Sequence, residues 1–513
     1  MSQRRTHMLA RLGGLALLLA AASPAGADVL LLKDGRILER AGMERTDAGI
    51  KIKFENGDVL VPHDLIEEAV LESGLAFEPK TPEEQEKAAD GLVPFGGQWM
   101  ARDKAEKLLA KRVEERKAAV AEMRDHMVWR SRYKEDTKHF AFEYTVSPQV
   151  YRYYADLMEA YYEDFAKTWK IKQSKELGRL RVCFYGDREN FMQTGGVSGG
   201  VLGYFRFVKP IELNFFYERS DPDLTEQVMY HEVNHYLQML LKPEFNMPHF
   251  PGESIAEYYG AAKFDPESKS ITTGHILEGR LAQVKAEIRA GEMIGLQKML
   301  TTDGMYEHYS WGWTLVHWLM QDKKQRDTFV KFVKALVFDR KVRREPSIAG
   351  MTTVPMSEVW EQFKKFFKLK TDDDVKAFEA GWHKYIQEDL NLVSARGLAD
   401  AAIHAERQGL QLKAKRLFSE AIEQGSTSPQ VYLRYASYLT REREYAEALK
   451  LLEKAIEMAP LDARMYASLG DTLAMSGKKD DARKALQLAV ELDPDDPWLA
   501  SEVEMTLKHL DEK

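Results

Sequence analysis

The segment from Leu224 to Leu241 constrains this chain more than any other. It holds no Gly or Pro, and Pro243 ends it. Asp221-Pro222-Asp223-Leu224-Thr225-Glu226 supplies a helix start. Either Asp221 caps it with Pro222 in the first turn, or Asp223 caps it with Glu226 as a capping box. On that helix Met229, Val233, Tyr236, Leu237 and Leu240 cover most of the surface. A helix that is apolar nearly all round is a buried helix. Yet Val228, His231, Glu232 and His235 share the remaining face. Two imidazoles and a carboxylate in a buried surface are costly unless something partners them.

A metal ion is such a partner. In His231-Glu232-Val233-Asn234-His235 the histidines stand at i and i+4, so both imidazoles point one way from a helix. Glu232 lies beside them, placed to hold and deprotonate a water. Catalytic zinc takes three protein ligands and keeps a fourth position open. Glu253, with 17 residues intervening after His235, is the natural third ligand. That interval lets one helix end and a second begin across from it. The expected cofactor is therefore Zn2+ on His231, His235 and Glu253. His249, in the loop between the two helices, is the alternative ligand. Glu253 and Glu257 are again i and i+4, so Glu257 is expected to accept the outer N–H of a ligand histidine and fix its tautomer. Zinc brings the pKa of its water towards about 7. Glu232 is the expected general base, taking a proton as the water attacks a peptide carbonyl and passing it to the leaving amine.

These residues resemble the gluzincins, the HExxH-plus-Glu branch of zinc metallopeptidases that includes thermolysin-like and aminopeptidase N-like enzymes. Gly252-Glu253-Ser254-Ile255-Ala256 resembles the Asn-Glu-Gly-Phe-Ala motif of the aminopeptidase branch, with Ser254 where that family often has glycine. The bacterial peptidase MA-like domains of unknown function are more similar still. They read Glu-Gly-x-Ala-Glu-Tyr followed downstream by Tyr-x-x-Gly-Trp, and this chain has Tyr309-Ser310-Trp311-Gly312-Trp313. The resemblance covers roughly residues 134–390. It implies a zincin-like core and a peptide or protein substrate held along a sheet edge, either Ile211 to Phe216 or Gly203-Tyr204-Phe205-Arg206. It also implies an oxyanion donor from a later helix, with Tyr309 first and His308 and Tyr306 as alternatives.

The chain begins with Arg4, Arg5 and Arg11, an apolar run from Leu12 to Ala22, and Ala25-Gly26-Ala27. This reads as a secretory signal peptide over residues 1–27, too short to span a membrane. Export to periplasm or medium is the expected localisation. Removing the three arginines takes the formal net charge from −8 to −11. Such a surface disfavours nucleic acid and anionic membranes as partners, and no membrane span is expected after cleavage. Cys183 is the only cysteine, so no intramolecular disulfide forms. Its setting in Leu180-Arg181-Val182-Cys183-Phe184-Tyr185 reads as a buried strand, where it acts as a small core hydrophobe.

The expected architecture is multidomain α+β. Residues 28–77 hold short strands separated by Lys33-Asp34-Gly35, Asp47-Ala48-Gly49 and Glu55-Asn56-Gly57. Three tight hairpins in that length suggest a small SH3-like barrel. Residues 78–134 form a charged, mostly helical linker, read either as a coiled-coil arm or as a solvated helix packed by one face. Residues 135–395 are the peptidase-like domain, alternating strands with one helix up to Phe216 and then mainly helical. Residues 396–513 repeat: Ala414, Ala448 and Ala482 are spaced 34 apart, as are Ala421, Ala455 and Ala489. That period is the tetratricopeptide signature and predicts a helical solenoid that binds a protein partner or packs as scaffold. Stacked repeats contribute little to a distant site, so deleting Leu398 to Lys513 is expected to leave a folded core.

Two functions follow. One is an exported zinc metallopeptidase whose tail recruits substrate or partner. The other is a non-catalytic envelope scaffold that retains a zinc-binding, peptidase-like core. An intact Glu232 favours the first, because a scaffold has no use for a general base.

Overall fold

A computed structural model describes residues 28–512 apart from 41, 72–74, 76, 78, 199, 220, 392, 393 and 495. The expected signal peptide lies outside the described residues. No described helix is long and apolar enough to cross a membrane.

The chain is α+β. Its N-terminal unit contains the three expected hairpins, but they do not close into a barrel. Strand Asp28–Leu32 pairs with Ile37–Arg40 on one side and Ile66–Val70 on the other. Gly49–Lys53 pairs with Met43–Arg45 and Asp58–Pro62. The result is two three-stranded antiparallel sheets. Gly42, at φ +89°, lies between strands of the two sheets, a conformation glycine adopts without penalty. The charged segment forms the helix Arg102–His126, which buries Ala105, Val113, Val120 and Met123. It is thus a solvated helix packed by one stripe. A short hairpin, Leu92–Phe95 with Gln98–Ala101, precedes it.

The central body starts at Tyr133, two residues before the expected boundary. Its five-stranded sheet runs in the order Gly203–Arg206, Glu212–Phe216, Leu180–Tyr185, Phe140–Tyr144, Tyr133–Asp136. The middle three strands are parallel and both edges antiparallel. Helix Pro148–Trp169 is the crossover, and it buries Tyr154, Leu157, Met158, Tyr161 and Phe165 in the main core. Cys183 lies buried against Tyr185, Phe191 and Phe216, and burial pushes its thiol up to about 12. One expectation is corrected here. Glu212–Phe216 is an interior strand paired on both sides, so of the two expected stretches it is Gly203–Arg206 that lies at an edge of the sheet. Both stretches are short and aromatic, so pairing partners distant in sequence decide which is outermost.

Helices then predominate. Among the described residues the C-terminal segment has three helix pairs, Ala395–Arg407 with Gln411–Glu423, Pro429–Arg441 with Tyr445–Met458, and Ala463–Met475 with Lys479–Leu492, followed by Pro497–Glu512. The six alanines at 34-residue spacing are all fully buried, because only a small side chain fits where paired helices cross.

The array is built into the molecule at both ends. Arg396 of its first helix pairs with Asp221 at 3.2 Å and also with Asp223, while Gly397 N donates to Glu278 at 3.0 Å. At the far end Leu30, Ile50, Ile52 and Val61 share one apolar core with Tyr466, Leu486, Leu488 and Val503. Glu491 accepts from the backbone N–H groups of Glu55 and Asn56 at 2.9 and 3.2 Å.

Candidate metal centre

The motif helix is Pro222–Met239, with Asp221 as its N-cap: the Asp221 side chain accepts from Leu224 N at 3.1 Å, and Pro222 opens the first turn. That settles the choice between the two caps. Met229, Tyr230, Val233, Tyr236 and Leu237 are buried, which fixes the rotation of the helix and turns His231, Glu232 and His235 to the remaining face. Gly203 on the edge strand allows the close approach, since a Cβ there would stand 2.6 Å from Val228 Cγ1. A buried polar ladder ties this helix to its neighbours. Gln238 Nε2 donates to Asn234 Oδ1 at 2.6 Å and to Gly252 O at 2.9 Å, and Asn234 Nδ2 donates to Tyr161 OH.

The second helix is His249–Gly260, but Phe250 has extended dihedrals (φ −95°, ψ 127°). Regular helix therefore begins after Pro251, and Glu253 falls in its first turn. Helix Glu307–Gln321 lies against it. A Cβ on Gly312 would come within 2.1 Å of Ser254 Oγ, and that hydroxyl donates to His308 O at 2.9 Å. Ser254 thus fits against a glycine and anchors the helix that carries Tyr309.

The three expected ligands converge. Glu253 Oε2 lies 3.2 Å from His231 Nε2 and 3.5 Å from His235 Nε2, and the two Nε2 atoms are 3.3 Å apart. Among the described residues this is the one group of His, Cys, Asp and Glu with metal-ligand spacing. Glu253 Oε2 is buried and ion-paired to both imidazoles, with no hydrogen bond of good geometry. Three potential ligand atoms crowded round one point is an arrangement that a cation, or a shared proton, would hold together. Two imidazoles and a carboxylate suit zinc.

Electrostatics point the same way. Burial opposes charge on His231, yet the carboxylates of Glu253, Glu257 and Glu232 lift its pKa to about 9. Burial likewise opposes charge on Glu253, but His235 and His231 beside it hold the carboxyl well below the ordinary range. The site draws positive charge inward, from a proton or from a metal.

Glu257 Oε1 stands 3.4 Å from His231 Nδ1. With the proton on Nδ1, the Nε2 lone pair faces inward. Arg280, which no motif spacing marks, holds Glu257 in two-point contact at 2.8 and 3.1 Å and reaches Tyr306 OH at 3.1 Å. Arg280 is thus the support of a support. Glu232 Oε2 accepts from Phe205 N on the edge strand at 2.9 Å. The Tyr309 ring lies against His231, with centroids 5.8 Å apart, and burial together with the Glu253 charge raises its hydroxyl pKa. His249 is outside the ligand group. Its Nδ1 is 2.6 Å from Nδ1 of His308, whose Nε2 lies 2.8 Å from Met299 O. His308 is fully buried, which pulls it down to about 4. It is therefore neutral, donating through Nε2 to the carbonyl and accepting at Nδ1 from His249. Tyr306 is largely exposed on the far side of Arg280.

If zinc occupies these residues, Glu257 beside His231 Nδ1 would support a ligand without being one, and Glu257→Ala is expected to lower zinc affinity about 10- to 100-fold rather than abolish binding. Competition with a chelator measures this, and an unchanged affinity would remove Glu257 from the site.

The comparisons bear on the other end of the chain. Residues 433–497 match the tetratricopeptide repeat family. The tail is a tetratricopeptide-repeat array. Solved structures similar to it include the N-terminal domain of stress-induced protein-1 from C. elegans, at 22% identity over 22% of this chain and 93% of that one, with a TM-score of 0.20. The MamA protein of Desulfovibrio magneticus RS-1, residues 41 to its end, is 18% identical over 30% of this chain and 89% of that one, with a TM-score of 0.22. No curated protein matches the chain.

Proposed function

We propose that this chain is an exported, zinc-dependent metallopeptidase with a zincin-like core of the gluzincin type. The convergence of His231 Nε2, His235 Nε2 and the buried Glu253 carboxylate on one point supports this reading. Zinc held there would supply a Lewis acid that makes water nucleophilic at neutral pH. The chain's own residues do the rest. Phe205 N–H fixes one oxygen of Glu232, leaving the other to take a proton from the attacking water and return it to the leaving amine. Tyr309 stands beside His231 and Glu253 to donate to the developing oxyanion. The outer edge of Gly203–Arg206 offers backbone groups to an extended peptide. The leader supports export, and the repeat array supports engagement of a protein substrate or partner.

The test joins elemental analysis of the purified protein to digestion of a peptide library. One zinc per chain and a defined set of products are expected. His231→Ala and His235→Ala should each lose the metal. Equal zinc content in the parent and both variants would sink the site. A second reading, a scaffold with a silent zinc site, draws on the anchoring of the array at both ends. A zinc-loaded protein that leaves every peptide intact would favour it.

A further inference from the structure

At the C-terminal end of the motif helix lies a pocket of about 360 Å³, open to solvent, that contains none of the candidate ligands or their supports. Five of its lining residues are apolar: Trp169, Ile171, Leu240, Leu241 and Phe338. The other three are Lys170, Lys172 and Lys334, and no carboxylate is among them. The local sequence explains this division. Helix Pro148–Trp169 ends at Lys170, whose φ of 61° turns the chain out of the helix. From there Trp169 and Ile171 are buried in the main core while Lys170 and Lys172 are exposed. Leu240 closes the motif helix and is buried as well. Helix Lys323–Phe338 adds Lys334 and Phe338, which stand at i and i+4 and so share a face. Phe338 is half exposed. Among the described residues, none of the three lysines is in ion-pair contact with a carboxylate. Burial and the Lys170 charge nearby lower the pKa of Lys334, so these two ammonium groups repel one another. The surroundings add to the charge. Residues 323–344 carry nine Lys and Arg against two Asp, in a chain whose formal net charge is −8. This face therefore draws anions although the chain as a whole is acidic.

We infer that this pocket binds one molecule of a single-chain anionic amphiphile, a long-chain carboxylate, with its alkyl chain on the apolar floor and its head among the three lysines. Each half of the lining excludes a different alternative. A small inorganic anion would satisfy the lysines and leave the indole and leucines facing water. A neutral hydrocarbon would cover the floor and leave the ammonium groups repelling one another. An amphiphile answers both, because each buried methylene contributes about 0.8 kcal/mol and the head screens the lysines from one another. Lysine stems are themselves apolar, so they extend the floor towards the head while their charged ends stay in water. The volume lies within the range of ordinary ligand sites, roughly 300–1,000 Å³. The inference is independent of the peptidase reading, since no residue of the metal centre takes part.

The test is displacement of a fluorescent long-chain carboxylate from the full chain by competitors kept below their micelle-forming concentrations. Dodecanoate should displace it with a stoichiometry of one. Dodecanol, which lacks the charge, and dodecyltrimethylammonium, which reverses it, should each bind at least about 10-fold more weakly. Octanoate should also fall by about 10-fold or more, since each methylene withdrawn from the floor costs roughly fourfold. Lys172→Glu with Lys334→Glu should weaken dodecanoate about 10-fold or more, leave dodecanol unchanged, and not alter thermal melting. Should the partly buried Lys334 position disturb folding, Lys172→Glu alone lies on the exposed rim and should weaken dodecanoate several-fold. Equal displacement by dodecanoate and dodecanol, or dodecanoate binding that both lysine variants leave intact, overturns the site. A chain that sediments with phosphatidylglycerol vesicles while monomeric dodecanoate displaces nothing overturns it too, and makes this face a membrane-docking surface instead.

Discussion

If the chain is the zinc peptidase proposed, replacing Glu232 with glutamine is expected to leave a folded, zinc-loaded protein that no longer cleaves peptides. Glutamine keeps the shape of the side chain, and its carbonyl oxygen still accepts from Phe205 N–H, so the edge strand and motif helix remain joined. The ligand atoms of His231, His235 and Glu253 are untouched. What disappears is the capacity to take a proton from water, and positioned acid–base groups contribute about 10²- to 10⁴-fold. Turnover of the best library peptide should fall by at least two orders of magnitude, while zinc stoichiometry and thermal melting match the parent. Residual activity above a few per cent would mean that another group accepts the proton.

The site was legible in the sequence as far as it is local. His231, Glu232 and His235 are fixed by one helical period, and Glu253 and Glu257 by another. An apolar surface on the motif helix forces the three polar residues to a common face. The cap at Asp221 could be narrowed to two residues, and the fold chose the one whose side chain reaches Leu224 N. Arg280 was invisible, because it stands 23 residues beyond Glu257 with no periodic relation to it. The pairing of His249 with His308 was equally hidden, since it joins two helices 59 residues apart. The strand that forms the sheet edge was not decided by composition, because edge position is a property of neighbours. The 34-residue period identified the array, but it gave no sign that Leu486 and Leu488 would bury themselves against Leu30 and Ile52. Apolar patterning says that a face is covered and is silent about which distant segment covers it.

That shared core changes what truncation should do. Independent repeats could be removed without consequence, whereas removing 396–513 here strips the apolar cover from the N-terminal sheets. Leu30, Leu32, Met43, Ile50, Ile52, Val59 and Val61 are all nearly inaccessible within the common core. Re-exposing a large apolar side chain costs about 1.5–3 kcal/mol, and partial exposure of several reaches the order of 10 kcal/mol. Whole domains are stable by only about 5–15 kcal/mol. The chain ending at residue 395 should therefore be insoluble, or soluble with rapid hydrogen exchange across 28–71 and strong binding of an apolar dye. Removing the N-terminal unit together with the array should restore a soluble body that still binds zinc, because every ligand and its support lies between Glu232 and Arg280 or beside it at His231. Protected strands in the singly truncated chain would show that the two sheets stand without the repeats. Loss of zinc from the doubly truncated body would show instead that the contacts of Arg396 with Asp221 and Asp223 help hold the motif helix in place.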